Sequence, residues 1–335
     1  MTLPKFEYVE PRTLKKACQV LEAHGGQAQI IAGGTDLMQM LKNRLKTPRI
    51  LVDLKSVPRL NQISYSSKSG LTIGALVSFR ALANDASVKE KYPMLAHAVS
   101  EVGTPQLQAM GTLGGNLCQD NLCLFYNRSP MMRLPMAACL KLDGDVCNAV
   151  ANSRECWAVY SGDIAPVLMV LGATVTIADA EGKTRIPLLE LYSGDGKQPH
   201  RLKPGQILTE VHVPVPAPNS GGAYLKLRQR STIDYPLLGV AFHLTLKDDE
   251  CIDAALVLTG IDRSPLFIQE AANLKGRSVS TEAIEHLAQA ASKQARPLNN
   301  VVELTPRYRR EMVKVYVRKA IQQALQNVSL RGGTL

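Results

Sequence analysis

Two adjacent glycines set the first limit on how this chain can fold. Ala28–Ala32 is a short apolar run, Gly33 and Gly34 follow it, and the pattern predicts a helix from Thr35 to Lys46. Pro48 stops that helix and Ile50–Leu54 reads as a returning strand, which makes a compact β-α-β unit. Ahead of it, Thr13 can cap a helix carrying Leu14, Ala17, Cys18 and Leu21 at helical spacing, closed by Gly25–Gly26. Consecutive glycines let backbone N–H groups turn toward an anion, and the next helix adds its positive end. Thr35 can give a hydroxyl to a phosphate. A plain tight turn, with Thr35 or Asp36 capping the helix, accounts for the same residues. Neither a Walker A pattern nor G-x-G-x-x-G is present, which argues against P-loop and Rossmann folds. A second glycine-rich stretch, Gly111-Thr-Leu-Gly-Gly-Asn116, lies about eighty residues downstream. One extended diphosphate ligand explains two such loops better than two unrelated turns do, and Asn116 can bond it from a fixed side chain.

The rest of the chain falls into blocks around these loops. Its 335 residues, 45% apolar and 20% charged, leave room for two or three ordinary domains. That composition excludes a disordered chain, a coiled coil and a collagen-like fibre. Strands are predicted at Leu71–Ile73, Ala173–Ala178 and Gln206–Val213, and helices at Ser78–Ala86 and Tyr92–Val102. Pro214–Gly222 reads as a linker. Beyond it come β-rich stretches (Ala223–Gln229, Gly239–Leu246, Ala254–Gly260) and helices over 280–294 and 305–326. The last carries Tyr308, Met312, Val315, Tyr316, Lys319, Ala320 and Ala324 at helical steps, with its Arg and Lys residues as a solvated face. The longest apolar stretch, Ile164–Ile177, is broken by Pro166, Gly172 and two Thr, so no membrane span is expected. The opening MTLPKFEYVE carries acids where a signal peptide needs basic then apolar residues, which predicts a cytoplasmic protein. The net charge of +10 is spread along the chain, and the 16 aromatic residues form no stacking platform. Nucleic-acid binding is not expected, whereas an acidic redox partner suits such a surface.

Five of the seven cysteines (Cys118, Cys123, Cys139, Cys147 and Cys156) crowd into residues 118–156, where even scatter would place fewer than one. Only Cys18 and Cys251 lie outside. A reducing cytosol disfavours a disulfide knot. The spacing Cys123-x15-Cys139-x7-Cys147-x8-Cys156 lacks the C-x2–4-C knuckle usual in structural zinc sites, and six scattered His residues offer no companion ligand. An iron–sulfur cluster can draw four thiolates from one long loop. Cluster, zinc and unliganded core cysteines all stay open on these residues alone. Phe125, Tyr126 and Trp157 can shield a cluster or simply fill a core.

AGGTDL, the TLGGN segment, Ser161-Gly-Asp163 before a Pro-containing apolar run, and the Tyr308-Arg309 helix carry a resemblance along nearly the whole chain. Their ordered combination resembles the FAD-binding medium subunits of molybdenum hydroxylases, the xanthine dehydrogenase and carbon monoxide dehydrogenase flavoprotein family. Most such subunits pass from GGN to the S-[GD]-D segment in a short loop. Here about forty residues intervene and hold the cysteine group. That insertion resembles the β subunits of 4-hydroxybenzoyl-CoA reductases, in which the loop binds a 4Fe–4S cluster.

The resemblance implies an α+β fold. A two-subdomain FAD-binding domain of the vanillyl-alcohol-oxidase or p-cresol-methylhydroxylase type would occupy 1–58 and 59–217. The iron–sulfur insertion would lie at 119–159, and a C-terminal α+β domain at 222–328. Ile30, Ile31, Ala32, Gly33, Gly34, Thr35, Asp36 and Leu37 would wrap the FAD diphosphate. Thr112, Gly114, Gly115 and Asn116 would form its second wall, with Val102 and Gly103 alongside. Asp163 would be an acidic FAD contact, or alternatively a helix cap. Ile207, Leu208 and Lys226 would lie near the flavin rings, and Lys226 reads equally as an ordinary strand residue. Cys123, Cys139, Cys147 and Cys156 would hold the cluster, while Cys118 would be a buried thiol near the flavin. Arg128 and Arg133 read as solvated. The resemblance further implies a large subunit with molybdenum cofactor and a small subunit with two 2Fe–2S clusters, assembled as a dimer of heterotrimers. Ferredoxin would be the donor, 4-hydroxybenzoyl-CoA would be reductively dehydroxylated on another subunit, and this chain would hold no catalytic residue. A sister molybdenum enzyme acting on another aromatic thioester or a heterocycle, or a zinc-stabilised binding module, are the alternatives.

Overall fold

The computed structural model describes residues 2–299 and 304–332. Among them the strands form three sheets. The first is parallel, with β1 (Glu7–Val9), β2 (Ala28–Ile31) and β3 (Ile50–Asp53) in the order β1-β3-β2. Helix α1 (Leu14–His24) starts where Thr13 accepts a hydrogen bond from the Lys16 N–H, and it buries Ala17, Cys18 and Leu21 on the sheet. Helix α2 (Leu37–Lys42) follows the glycine pair and is shorter at both ends than the sequence pattern predicts.

The second sheet is antiparallel. Strands β4 (Ile63–Ser66), β5 (Gly70–Gly74), β6 (Thr174–Ala178), β7 (Lys183–Pro187) and β8 (Ile207–Val213) run in the order β4-β5-β8-β6-β7. Between β5 and β6 lie the short helices α3 (Phe79–Asn84), α4 (Ala86–Lys91), α5 (Pro93–Ser100), α6 (Pro105–Met110), α7 (Leu113–Leu117), α8 (Pro130–Arg133) and α9 (Ile164–Val170). Helices α3, α5, α7 and α9 share one apolar core with this sheet. The helix predicted over Ser78–Ala86 ends early, at Asn84. Asp85 is extended and its carboxylate caps α4 through the Val88 N–H, which ends α3.

The third sheet, also antiparallel, is β12-β11-β10-β9, built from β9 (Ser220–Leu227), β10 (Leu238–Lys247), β11 (Glu250–Thr259) and β12 (Leu266–Phe267). Helices α10 (Thr281–Gln294) and α11 (Pro306–Gly332) cover it. Ser220–Gly222 are not linker but the start of β9. A Cβ on Gly221 would lie 2.7 Å from Val328 of α11, and one on Gly222 would lie 2.6 Å from the Met94 sulfur of α5. The glycines are there because a helix and a neighbouring domain both press on this strand.

The buried stripe of α11 also differs from the sequence reading. Val313, Val317, Ala320, Ile321, Ala324 and Val328 face the sheet, while Lys319 is exposed. One step earlier on that stripe stands Arg309, 0% exposed and not solvated as expected. Its guanidinium donates to the carbonyls of Leu237, Gly260 and Leu298, and burial pulls it down to about 10. A rigid fork of five donors suits three converging carbonyls. Replacing Arg309 by Met should strand those acceptors and cost on the order of 3 kcal/mol of stability, read as a lower denaturant midpoint. An unchanged midpoint would contradict this role.

Candidate functional site

The two glycine loops meet backbone to backbone. A Cβ placed on Gly33 would lie 1.8 Å from the carbonyl oxygen of Met110 and 3.3 Å from the Gly111 Cα, so no side chain fits between the loops. Gly34 turns the chain with a φ of +72°. Ile30 and Ile31 end β2, Ala32 through Asp36 form the loop, and Leu37 opens α2. Asp36 stands at the start of α2 but makes no capping bond; its carboxylate accepts from the Tyr235 hydroxyl at 3.1 Å. Burial raises the Asp36 carboxyl above its ordinary range.

The second wall is built by α7. Thr112 caps it by accepting from the Gly115 N–H, and the Gly114 N–H donates to the Ala75 carbonyl at 2.8 Å. A Cβ on Gly114 would lie 2.7 Å from that of Ala75, so this glycine seats the helix on its own core. Gly115 is exposed. Asn116 donates to the Gln119 side chain, leaving its Oδ1 buried and without a partner. Gln119 Nε2, next to it, is likewise unpaired. A buried acceptor and donor left unmatched side by side are what a bound polar ligand would satisfy.

A segment of the third sheet crosses both walls. From β9, Lys226 donates to the Glu101 carbonyl at 3.0 Å, and Arg228 pairs with the Glu101 carboxylate at 2.7 Å. The Gly103 carbonyl, next to Val102, accepts from the Ile233 N–H and the Thr232 hydroxyl. With Tyr235 on Asp36, the stretch 226–235 therefore ties α5, Gly103 and the first loop together. The sequence reading missed Tyr235, Glu101 and Arg228. Each acts through a partner more than a hundred residues away, which no local pattern signals.

Asp163 and Lys226, assigned separately to a ligand, bind each other. Their charged groups lie 3.0 Å apart with side chains 5% and 1% exposed, and the second Asp163 oxygen accepts from the Tyr224 hydroxyl at 2.6 Å. Burial raises the Asp163 carboxyl, and the Lys226 charge offsets it. Asp163 is also not a helix cap, since it makes no capping bond to α9. Leu208 is a core residue, paired with Ile177 across β6 and β8. Ile207 is buried in the core beneath the first sheet.

The insertion continues directly from the second wall. Leu122 and Val159 exchange two backbone hydrogen bonds that pin its ends, and Cys139 bridges Val146, which brings Cys139 beside Cys147. Cys123 and Cys156 share a small core with Tyr126, Phe125, Leu140 and Leu142. Cys123, Cys139 and Cys156 are buried and Cys147 is half-buried. Burial raises the Cys123 thiol, and the backbone N–H groups of Phe125 and Tyr126 oppose that rise. It pushes Cys156 up to about 11, opposed by the Ala158 N–H and the Lys141 charge. The charges of Cys139 and Cys147 add to the rise at Cys123, and those of Cys123 and Cys147 add to the rise at Cys156. Among the described residues no three His, Cys, Asp or Glu side chains form the ligand set of a single ion. Trp157 stacks under Arg263 at 4.6 Å, and half-buried Cys118 is pushed up to about 12 by burial near Tyr160 and Tyr192. Arg133 is not simply solvated: it donates to the Asn43 carbonyl at 2.9 Å, while Arg128 stacks on Phe125.

The family model for the FAD binding domain in molybdopterin dehydrogenase matches residues 4–216, and that for the CO dehydrogenase flavoprotein C-terminal domain matches 223–324. The glyceraldehyde dehydrogenase medium chain of Sulfolobus acidocaldarius is 28% identical over 96% of this chain and 98% of its own length. The carbon monoxide dehydrogenase medium chain of Afipia carboxidovorans is 28% identical over 95% of this chain and 96% of its own. In the reconstituted CO dehydrogenase from Oligotropha carboxidovorans, a chain with 26% identity superposes with a TM-score of 0.79 over 98% of this chain and all of that one. Gly33→Ala should force the two loops apart and lower FAD retention at least tenfold, read as flavin per purified chain. Gly26→Ala, whose Cβ would meet nothing within 4 Å, should retain it. Equal flavin in both would contradict the loop assignment.

Proposed function

Since this chain belongs to the FAD-binding medium-subunit family of the molybdenum hydroxylases, we propose that it is the electron-transfer subunit of a 4-hydroxybenzoyl-CoA reductase-like enzyme, holding both FAD and a 4Fe–4S cluster. The observation that carries this reading is that one unbroken stretch, 112–123, leads from the second glycine wall into the loop that bears Cys123, Cys139, Cys147 and Cys156, three of them buried. In this reading Ile30 to Leu37 hold the FAD diphosphate against Thr112, Gly114, Gly115 and Asn116. Val102 and Gly103 line the edge, and the unpaired Asn116 Oδ1 supplies a ligand acceptor. Asp163 and Lys226 act as one internal pair that fixes the flavin-side wall.

Cys123, Cys139, Cys147 and Cys156 are the cluster ligands. Their donor set suits such a cluster: four thiols from one loop, three of them buried. The spacing of the four cysteines lacks the C-x2–4-C knuckle usual in structural zinc sites, which favours a cluster drawn from one long loop. When bound, the two groups would supply one- and two-electron exchange, which joins one-electron carriers to a two-electron reaction.

The chain's own work is to bind, space and shield these groups. The three units would be 1–58, 59–217 with its 119–159 insertion, and a C-terminal domain at 222–328, in the vanillyl-alcohol-oxidase type of fold. Partners would be a large molybdenum subunit, where 4-hydroxybenzoyl-CoA is dehydroxylated, and a small 2Fe–2S subunit, in a cytoplasmic dimer of heterotrimers. Reduced ferredoxin would be the donor, and the net charge of +10 suits an acidic protein. Cys147→Ser should abolish ferredoxin-driven turnover of the complex while leaving FAD bound. NADH should reduce the flavin slowly or not at all. Rapid stoichiometric bleaching by NADH, or turnover that survives cluster loss, would overturn the reading.

A further inference from the structure

The insertion buries a lysine that neither assignment uses. Lys141 has a side chain 3% exposed, and its ammonium pairs with Asp120, itself 10% exposed. It also donates to the Asn121 carbonyl at 3.0 Å and lies 4.6 Å from the centre of the Tyr126 ring. A lysine is seldom buried so completely, and it stays so only where a counter-charge and acceptors meet it. Here they all come from the 120–126 stretch that links the glycine wall to the thiols.

The pair has two ends in two neighbourhoods. Lys141 follows Cys139 by two residues, and its neighbours Leu140 and Leu142 pack against the core of Cys123 and Cys156. The ring under its ammonium, Tyr126, packs with Cys123 and Cys156. Asp120 lies four residues past Asn116, where the chain leaves the second glycine wall. The positive end thus lies against the thiol core, and the negative end sits just past the second glycine wall.

We infer that the Lys141–Asp120 pair is a fixed dipole that sets the reduction potential of the thiolate-held centre relative to the flavin. Lys141 raises that potential and Asp120 tempers the effect. The inference rests on the reading that the four cysteines hold a redox cluster. Adding an electron to such a centre deepens its negative charge, and a fixed cation in a low-dielectric interior favours the reduced state. Lys141 is a positioning residue in this scheme, acting through its field.

The test is a potentiometric titration of the cluster's spin-resonance signal in the intact complex, with iron and flavin counted in each variant. Lys141→Met should lower the midpoint and Asp120→Asn should raise it. Each shift should be roughly tenfold in the reduced-to-oxidised ratio at fixed applied potential, about 59 mV for a one-electron couple. Lys141→Arg, which keeps the charge, should stay near the parent value. If Lys141→Met fails to retain iron, the direction of the Asp120→Asn shift decides alone. Midpoints that do not move, or that move the same way in both variants, would overturn the inference with the cluster reading intact. A parent complex whose medium subunit holds no iron would instead overturn the cluster reading.

Discussion

The site depends on two stretches of backbone coming so close that no side chain can stand between them. Gly33 meets the Met110 carbonyl in the space where any other residue would carry its Cβ. That contact joins the parallel three-stranded sheet to the helical layer of the second sheet. The second wall repeats the device where Gly114 seats α7 against Ala75. In the Ser161-Gly-Asp163 segment, Gly162 leaves room for the Tyr160 hydroxyl, which would lie 2.3 Å from a Cβ there. Glycine at each of these positions is a packing requirement before it is a ligand contact.

Buried charges hold the surrounding parts in register. Asp163–Lys226 fastens the start of α9 to β9, Arg309 gathers three carbonyls at one end of the third sheet, and Lys141–Asp120 fixes the insertion to the end of the glycine wall. Such groups are poor sources of net stability, because desolvation consumes most of their attraction. Their directional bonds instead specify one arrangement of loops that apolar contacts alone would leave loose.

Local devices were legible in the sequence, and long-range pairings were not. Thr13 capping α1, the glycine pair ending β2 and the strand at Ile50 can be read from neighbours a few residues apart. The crowding of Cys123, Cys139, Cys147 and Cys156 pointed to one site, and two short backbone bridges, Leu122 with Val159 and Cys139 with Val146, tie that stretch together. Gly221 and Gly222 misled because glycine marks a turn in sequence, whereas here it admits α11 and Met94 against a strand. Arg309 looked like surface because nothing beside it in sequence announces three carbonyls supplied by Leu237, Gly260 and Leu298. Lys141 and Tyr235 escaped for the same reason: a buried polar group is defined by its partners, and those partners are distant in the chain.

The account turns on whether the thiols beside the second glycine wall hold a redox cluster next to a flavin. The most direct measurement is the iron, zinc and flavin content of this subunit, purified without oxygen and separated from its partners, with low-temperature spin resonance after dithionite. About four irons for each FAD, with a reduction-induced signal, is the predicted result. FAD accompanied by zinc, or by no metal, would leave the flavoprotein standing and contradict the electron-relay role assigned to the insertion.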